Sequence, residues 1–154
     1  MSSARGRANQ SLYLARILVE AWEETGRSST IPDHTLSEAF LPAIRNHLLD
    51  AYGWFLLALS GLEEPPETGL PRSSLELPKP PEGKAVPSEV REFAQLEQEG
   101  WLRELLAPLV SAPPRARSRG NLAVPSVGGA EQALAWSEAL KAVFDRMGDS
   151  LEES

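Results

Sequence analysis

The chain contains no cysteine in its 154 residues. Without a thiol there can be no disulfide framework, no cysteine nucleophile and no thiolate-built zinc or iron–sulfur site. Histidine is nearly as scarce, with two residues, so imidazole chemistry has only His34 and His47 to draw on. No segment has the alternation or the β-branched density of a strand. Nor does any apolar run reach the roughly 18 residues that a membrane-spanning helix needs. The longest candidate, within HLLDAYGWFLLALSGL, carries no ionisable acid or base between Asp50 and Glu63 and is clearly shorter than that.

Positive charge is also under-represented. Fifteen lysines and arginines face 22 acids, a net charge of −7. That balance argues against wholesale binding to nucleic acid or to an anionic membrane. Arg5 and Arg7 resemble the basic start of a signal peptide, but Arg16 and Glu20 break the apolar run behind them and no small-residue cleavage site closes it. A cytoplasmic protein is the expectation, with no membrane span and no nucleic-acid partner.

What the sequence does contain is helical periodicity, in four segments. The first is expected at about 8–25: Leu12, Leu14, Ala15, Leu18, Val19 and Trp22 fill one side, and Gly26 supplies a stop. The second is expected at about 35–61, opened by a Thr35–Glu38 capping box and ended by Gly61. Its core stripe is Leu36, Phe40, Ile44, His47, Leu48, Ala51, Phe55 and Leu59, and Pro42 should kink or restart it. The third, at about 88–110, runs from Ser88 through Val90, Phe93, Trp101 and Leu105 and is weakened by Gly100 and Pro108. The fourth, at about 130–148, has the cleanest stripe: Ala133, Trp136, Leu140, Val143, Phe144 and Met147.

Proline-rich sequence from 63 to 87 predicts a long extended connection between the second and third helices. A basic loop from 111 to 129 separates the third and fourth. Helices that are each apolar on one broad face must bury it on one another. The expected fold is therefore all-α: a single domain over 1–154, built as an up-down four-helix bundle with a long proline-rich loop between helices two and three.

The run NQSLYLARILVEAW, the long apolar second helix, WLRELLAPL and the closing WSEALKAVFDRMGDSLEE together resemble a family of short bacterial proteins known only as a domain of unknown function. The likeness rests on Asn9, Gln10, Leu12, Trp22, Trp101, Leu102, Trp136 and Leu140 and on helix order. It implies a bacterial, cytoplasmic, all-helical protein and carries over no catalytic residue.

Candidate sites are few. His47 lies on the expected core stripe, where an imidazole needs a partner for its nitrogens; a satisfied core or boundary histidine is the simpler reading. Arg115, Arg117 and Arg119 alternate in the basic loop ahead of a helix start, a pattern that suits an anion, though a solvated loop needs no ligand. His47 and Asp50 share a helix face but are too few for a metal, and neither a phosphate loop nor a nucleophile elbow is present. Pro78-Lys79-Pro80-Pro81 matches a proline-helix ligand and also an ordinary spacer.

The strongest clue is the second helix, apolar around its whole circumference from Tyr52 to Leu59. Either the proline-rich loop folds back over its spare side, or another protein does. Trp54 and Leu57, continuing the stripe that is polar at Asn46 and Asp50, mark the expected outward face. The reading is a non-enzymatic interaction protein, binding itself or another protein and needing no cofactor. The alternative is a small-molecule or nucleotide-binding helical domain using His47 or the Arg115/Arg117/Arg119 loop.

Overall fold

The computed structural model of the chain describes residues 3–80, 82–108 and 129–153, with the side chains of the last five left aside. Among them the regular structure is entirely helical: α1 (Ala4–Ser28), α2 (Asp33–Leu59), a 3-10 turn (Ser74–Glu76), α3 (Ser88–Glu99), α4 (Trp101–Leu106) and α5 (Ala130–Glu153).

Helix α1 is longer at both ends than its periodicity suggests. Ser3 caps it, its Oγ accepting from the Gly6 amide at 2.9 Å. At the other end the helix runs past Gly26. Thr25, Ser28 and Ser29 each turn a hydroxyl back onto the carbonyl four residues earlier, adding a second donor to acceptors of the last two turns, and the Ser29 amide closes the helix on the Thr25 carbonyl at 3.0 Å. Helix α2 likewise starts two residues early. Pro32 occupies the cap position and its carbonyl accepts from Thr35 and Leu36, so the Thr35–Glu38 box falls inside the helix instead of capping it. Pro42 is carried within an unbroken helix, its ring on the exposed side.

The stop at Gly61 is as expected. The amide of Leu62 reaches the Leu57 carbonyl at 2.8 Å and that of Gly61 reaches Ala58 at 3.1 Å. This paired closure needs a left-handed residue, and Gly61 provides it at φ 76°. The third expected helix is split at Gly100 into α3 and α4, and α4 stops before Pro108.

Helices α1 and α2 form an antiparallel hairpin, traceable through contacts from end to end. Trp22 stacks on Phe40 near the turn, at 5.8 Å between centroids. At the open end the Ala4 amide donates to Glu63 Oε2 at 3.0 Å. Alanines at 4, 8 and 15 let the two backbones approach, and all are fully buried. Helix α5 packs against both α1 and α2, and α3 packs on α2, around an aromatic cluster. The Phe55 ring stacks on Phe144 at 4.1 Å and meets Phe93 edge-on at 6.1 Å, and Phe93 in turn meets Tyr52 edge-on at 5.1 Å. Fully burying a side chain of this kind stabilises by about 1.5–3 kcal/mol over leaving it exposed, and favourable ring geometry adds to that.

The connection between α2 and α3 is a packed strap. Pro71 is buried, and Leu77 packs against the core. A Cβ on Gly53 would sit 2.6 Å from the Pro71 carbonyl oxygen and 3.2 Å from the Leu70 Cβ. Only a residue without a side chain admits the strap at that closeness.

Candidate functional site

The polar side of α2 and the strap share a groove lined by Arg45, Asn46, Leu49, Arg72, Ser73, Glu76 and Leu106. Its charged groups mostly hold the fold together. Arg45 donates from Nε to the Leu105 carbonyl and from Nη2 to that of Leu106, both at 3.0 Å. It thus caps the C-terminal end of α4, where a cation is electrostatically favoured. Burial, and then the neighbouring Arg72, hold its proton affinity below the usual guanidinium value. Arg72 lies 4.0 Å from Asp50 and its amide donates to Glu76.

Glu97 fastens the strap. Its Oε2 accepts from the Ser74 amide at 2.8 Å and from the Tyr52 hydroxyl, while Oε1 accepts from Ser74 Oγ at 2.7 Å. One carboxylate on α3 therefore ties α2 and the 3-10 turn together. Burial first, then the bond to Glu97 and its charge, push the Tyr52 phenol well above its ordinary value. The sign of the linkage follows. A phenol whose folded value is raised contributes its full stability below about pH 10, where the unfolded chain also keeps the proton. Above that pH the unfolded state ionises first and stability falls. Alkaline melts of the parent should therefore drop more steeply above pH 10 than those of Tyr52→Phe; parallel curves would show that Tyr52 titrates freely.

The residues singled out from sequence are not assembled into one site. His47 is half-buried at the edge of the stripe, between the fully buried Ile44 and Ala51, and is not part of the core proper. Arg115, Arg117 and Arg119 lie outside the described residues. Trp54 is half-buried, with the Arg7 guanidinium 4.8 Å above its ring, a cation–π contact between α2 and α1. Leu57 corrects an expectation: it does not face outward but is wholly buried within its own chain. It lies one turn beyond Gly53, on the face where Leu70 and Pro71 cross, and the first turn of α1 closes in from Glu63. No group of three or more potential metal-binding side chains occurs among the described residues.

Among the described residues, large apolar side chains stay open to solvent singly at Ile31, Leu75 and Val86, and as a pair on α1. Tyr13 is 60% exposed and Ile17 43% exposed, one helical turn apart, on the side opposite the buried Leu12–Ala15–Val19–Trp22 stripe. Beside them runs a shallow groove against α5, bordered by Asn9, Arg16, Glu20, Lys141 and Asp145. Neither residue belongs to the apolar stripe read from sequence. The signal that marks them was present all the same: two large apolar residues at i and i+4, off the buried face. No family model matches the chain, and no curated protein or solved structure shows a detectable similarity to it.

Proposed function

We propose that the protein acts through protein–protein contact made by the outer face of α1. The frame is an up-down four-helix bundle in which α3 and α4 together take the place of one helix. The observation that carries the reading is the exposure of Tyr13 and Ile17 on a helix whose opposite face is sealed. The interior supports it. Apart from Ser137, which donates to the Leu134 carbonyl of its own helix, the buried residues in the described core are apolar or aromatic, so no set of polar groups converges on an internal ligand. Binding of a small molecule or nucleotide through His47 or the arginine loop is the rival; its nearest support is the Arg45–Arg72 groove, where Asp50 and Glu76 offset the charge.

Tyr13→Glu combined with Ile17→Glu tests the reading. Both sites are exposed, so the fold should lose no more than about 0.5 kcal/mol per site. A partner protein, whether a second copy or another chain, should be retained on the immobilised parent and lost on the double variant. Equal retention by both, or a collapsed melting temperature, would place the contact elsewhere.

A further inference from the structure

The outer face of α1 holds a pattern longer than its two apolar residues. Gly6, Gln10, Tyr13, Ile17, Glu20 and Glu24 are all exposed, and their spacing alternates between four and three. The spacing makes them one continuous face, apolar at its middle and polar toward both ends, along which a second helix can lie. Charge is uneven along the same helix: Arg5 and Arg7 stand near its start, with Arg7 over its own Trp54, and Glu20, Glu23 and Glu24 lie in its second half, followed by Arg27, which pairs with Glu24. The positive end of the helix dipole coincides with Arg5 and Arg7, and the acids lie ahead of the last turn.

We infer that α1 pairs with α1 of a second copy of this chain, antiparallel about a two-fold axis beside Ala15. The inference rests on the functional reading above and names its partner. In this register Tyr13 meets Ile17 of the second copy, and the reverse pair forms by symmetry. Gln10 meets Glu20, and Gly6, with no side chain, leaves room for Glu24. Such a face is self-complementary, as a two-fold interface requires. The basic first turns of each copy then lie near the acidic stretch from 20 to 24 of the other, and the helix dipoles oppose. A parallel pairing would instead place Glu20 on Glu20 and Glu24 on Glu24. The two copies of Arg16 fall near the axis on one flank, each with Glu20 of its own helix one turn away to offset the like charge. The apolar centre is small, so the pairing depends on concentration and weakens with salt.

The absence of cysteine makes the register directly readable. Gln10→Cys and Glu20→Cys leave Tyr13 and Ile17 in place and introduce one thiol per chain. A disulfide forms only where Cα atoms approach within about 7 Å. On mild oxidation an equal mixture of the two variants should cross-link several-fold more than either alone, and the native mass of the parent should double as concentration rises. Cross-links dominated by either variant with itself would overturn the antiparallel register. A parent that stays monomeric, with no cross-link in the mixture, would overturn self-pairing. In that event, retention of a different protein by the immobilised parent, abolished by Tyr13→Glu/Ile17→Glu, would leave the functional reading standing, and loss of both signals would end both.

Discussion

Phe55→Ala should destabilise the chain by about 3–5 kcal/mol, the range for truncating a fully buried large aromatic. Phe55 is the ring through which α2 touches both α3 and α5, stacked on Phe144 and edge-on to Phe93. Removing it leaves a cavity that three helices would have to collapse into together, which rigid packing resists. Total stabilities of domains this size are about 5–15 kcal/mol, so the variant should unfold at a much lower denaturant concentration, with an unchanged slope. A shift equivalent to less than about 1 kcal/mol would mean that the aromatic cluster is not the centre of the core.

Leu57→Glu is the second large effect. The side chain is fully buried within the monomer, so the carboxylate would lose its hydration with no cation supplied to replace it. A loss of several kcal/mol, or failure to fold, is expected. Were Leu57 on a subunit interface, the same change would give a stable folded monomer from an associated parent. Circular dichroism melts together with mass in solution separate the two outcomes. The contrast with Tyr13→Glu/Ile17→Glu is sharp: the acid unfolds the chain at Leu57 and leaves it folded on α1.

Much of the helical architecture was legible in the sequence, because burial leaves a period. The stripes containing Leu12, Val19 and Trp22 in α1 and Ala133, Trp136, Leu140 and Phe144 in α5 are the buried residues of the structure. Helix ends were less legible. The Ser3 cap lies ahead of the expected start of α1, and Gly26, expected as its stop, lies inside it. The spare apolar surface of α2 was recognised, but the side on which its cover lies was not. Leu57 follows Asn46, Asp50 and Gly53 along one line, and polarity at the first two suggested solvent for the last. The line changes environment at Gly53, where the strap crosses, and such a contact between segments far apart on the helix and the strap has no local signature. The exposed pair on α1 has only a faint signature, because an apolar residue off the buried stripe resembles the single exposed apolar residues that any surface carries.

The strap also bears on the order in which the fold can assemble. During synthesis the α1–α2 hairpin emerges before α3 and α5 exist, and the apolar circumference of α2 is then exposed to every neighbour in the crowded space around the ribosome. The first sequence to follow it is the segment that ends at Leu70 and Pro71, within 20 residues of the notch at Gly53, a short loop that closes far faster than the chain is extended. A nascent hairpin that carries its own cover immediately downstream spends little time as a sticky intermediate. The later helices then meet a surface from which one side has already been withdrawn.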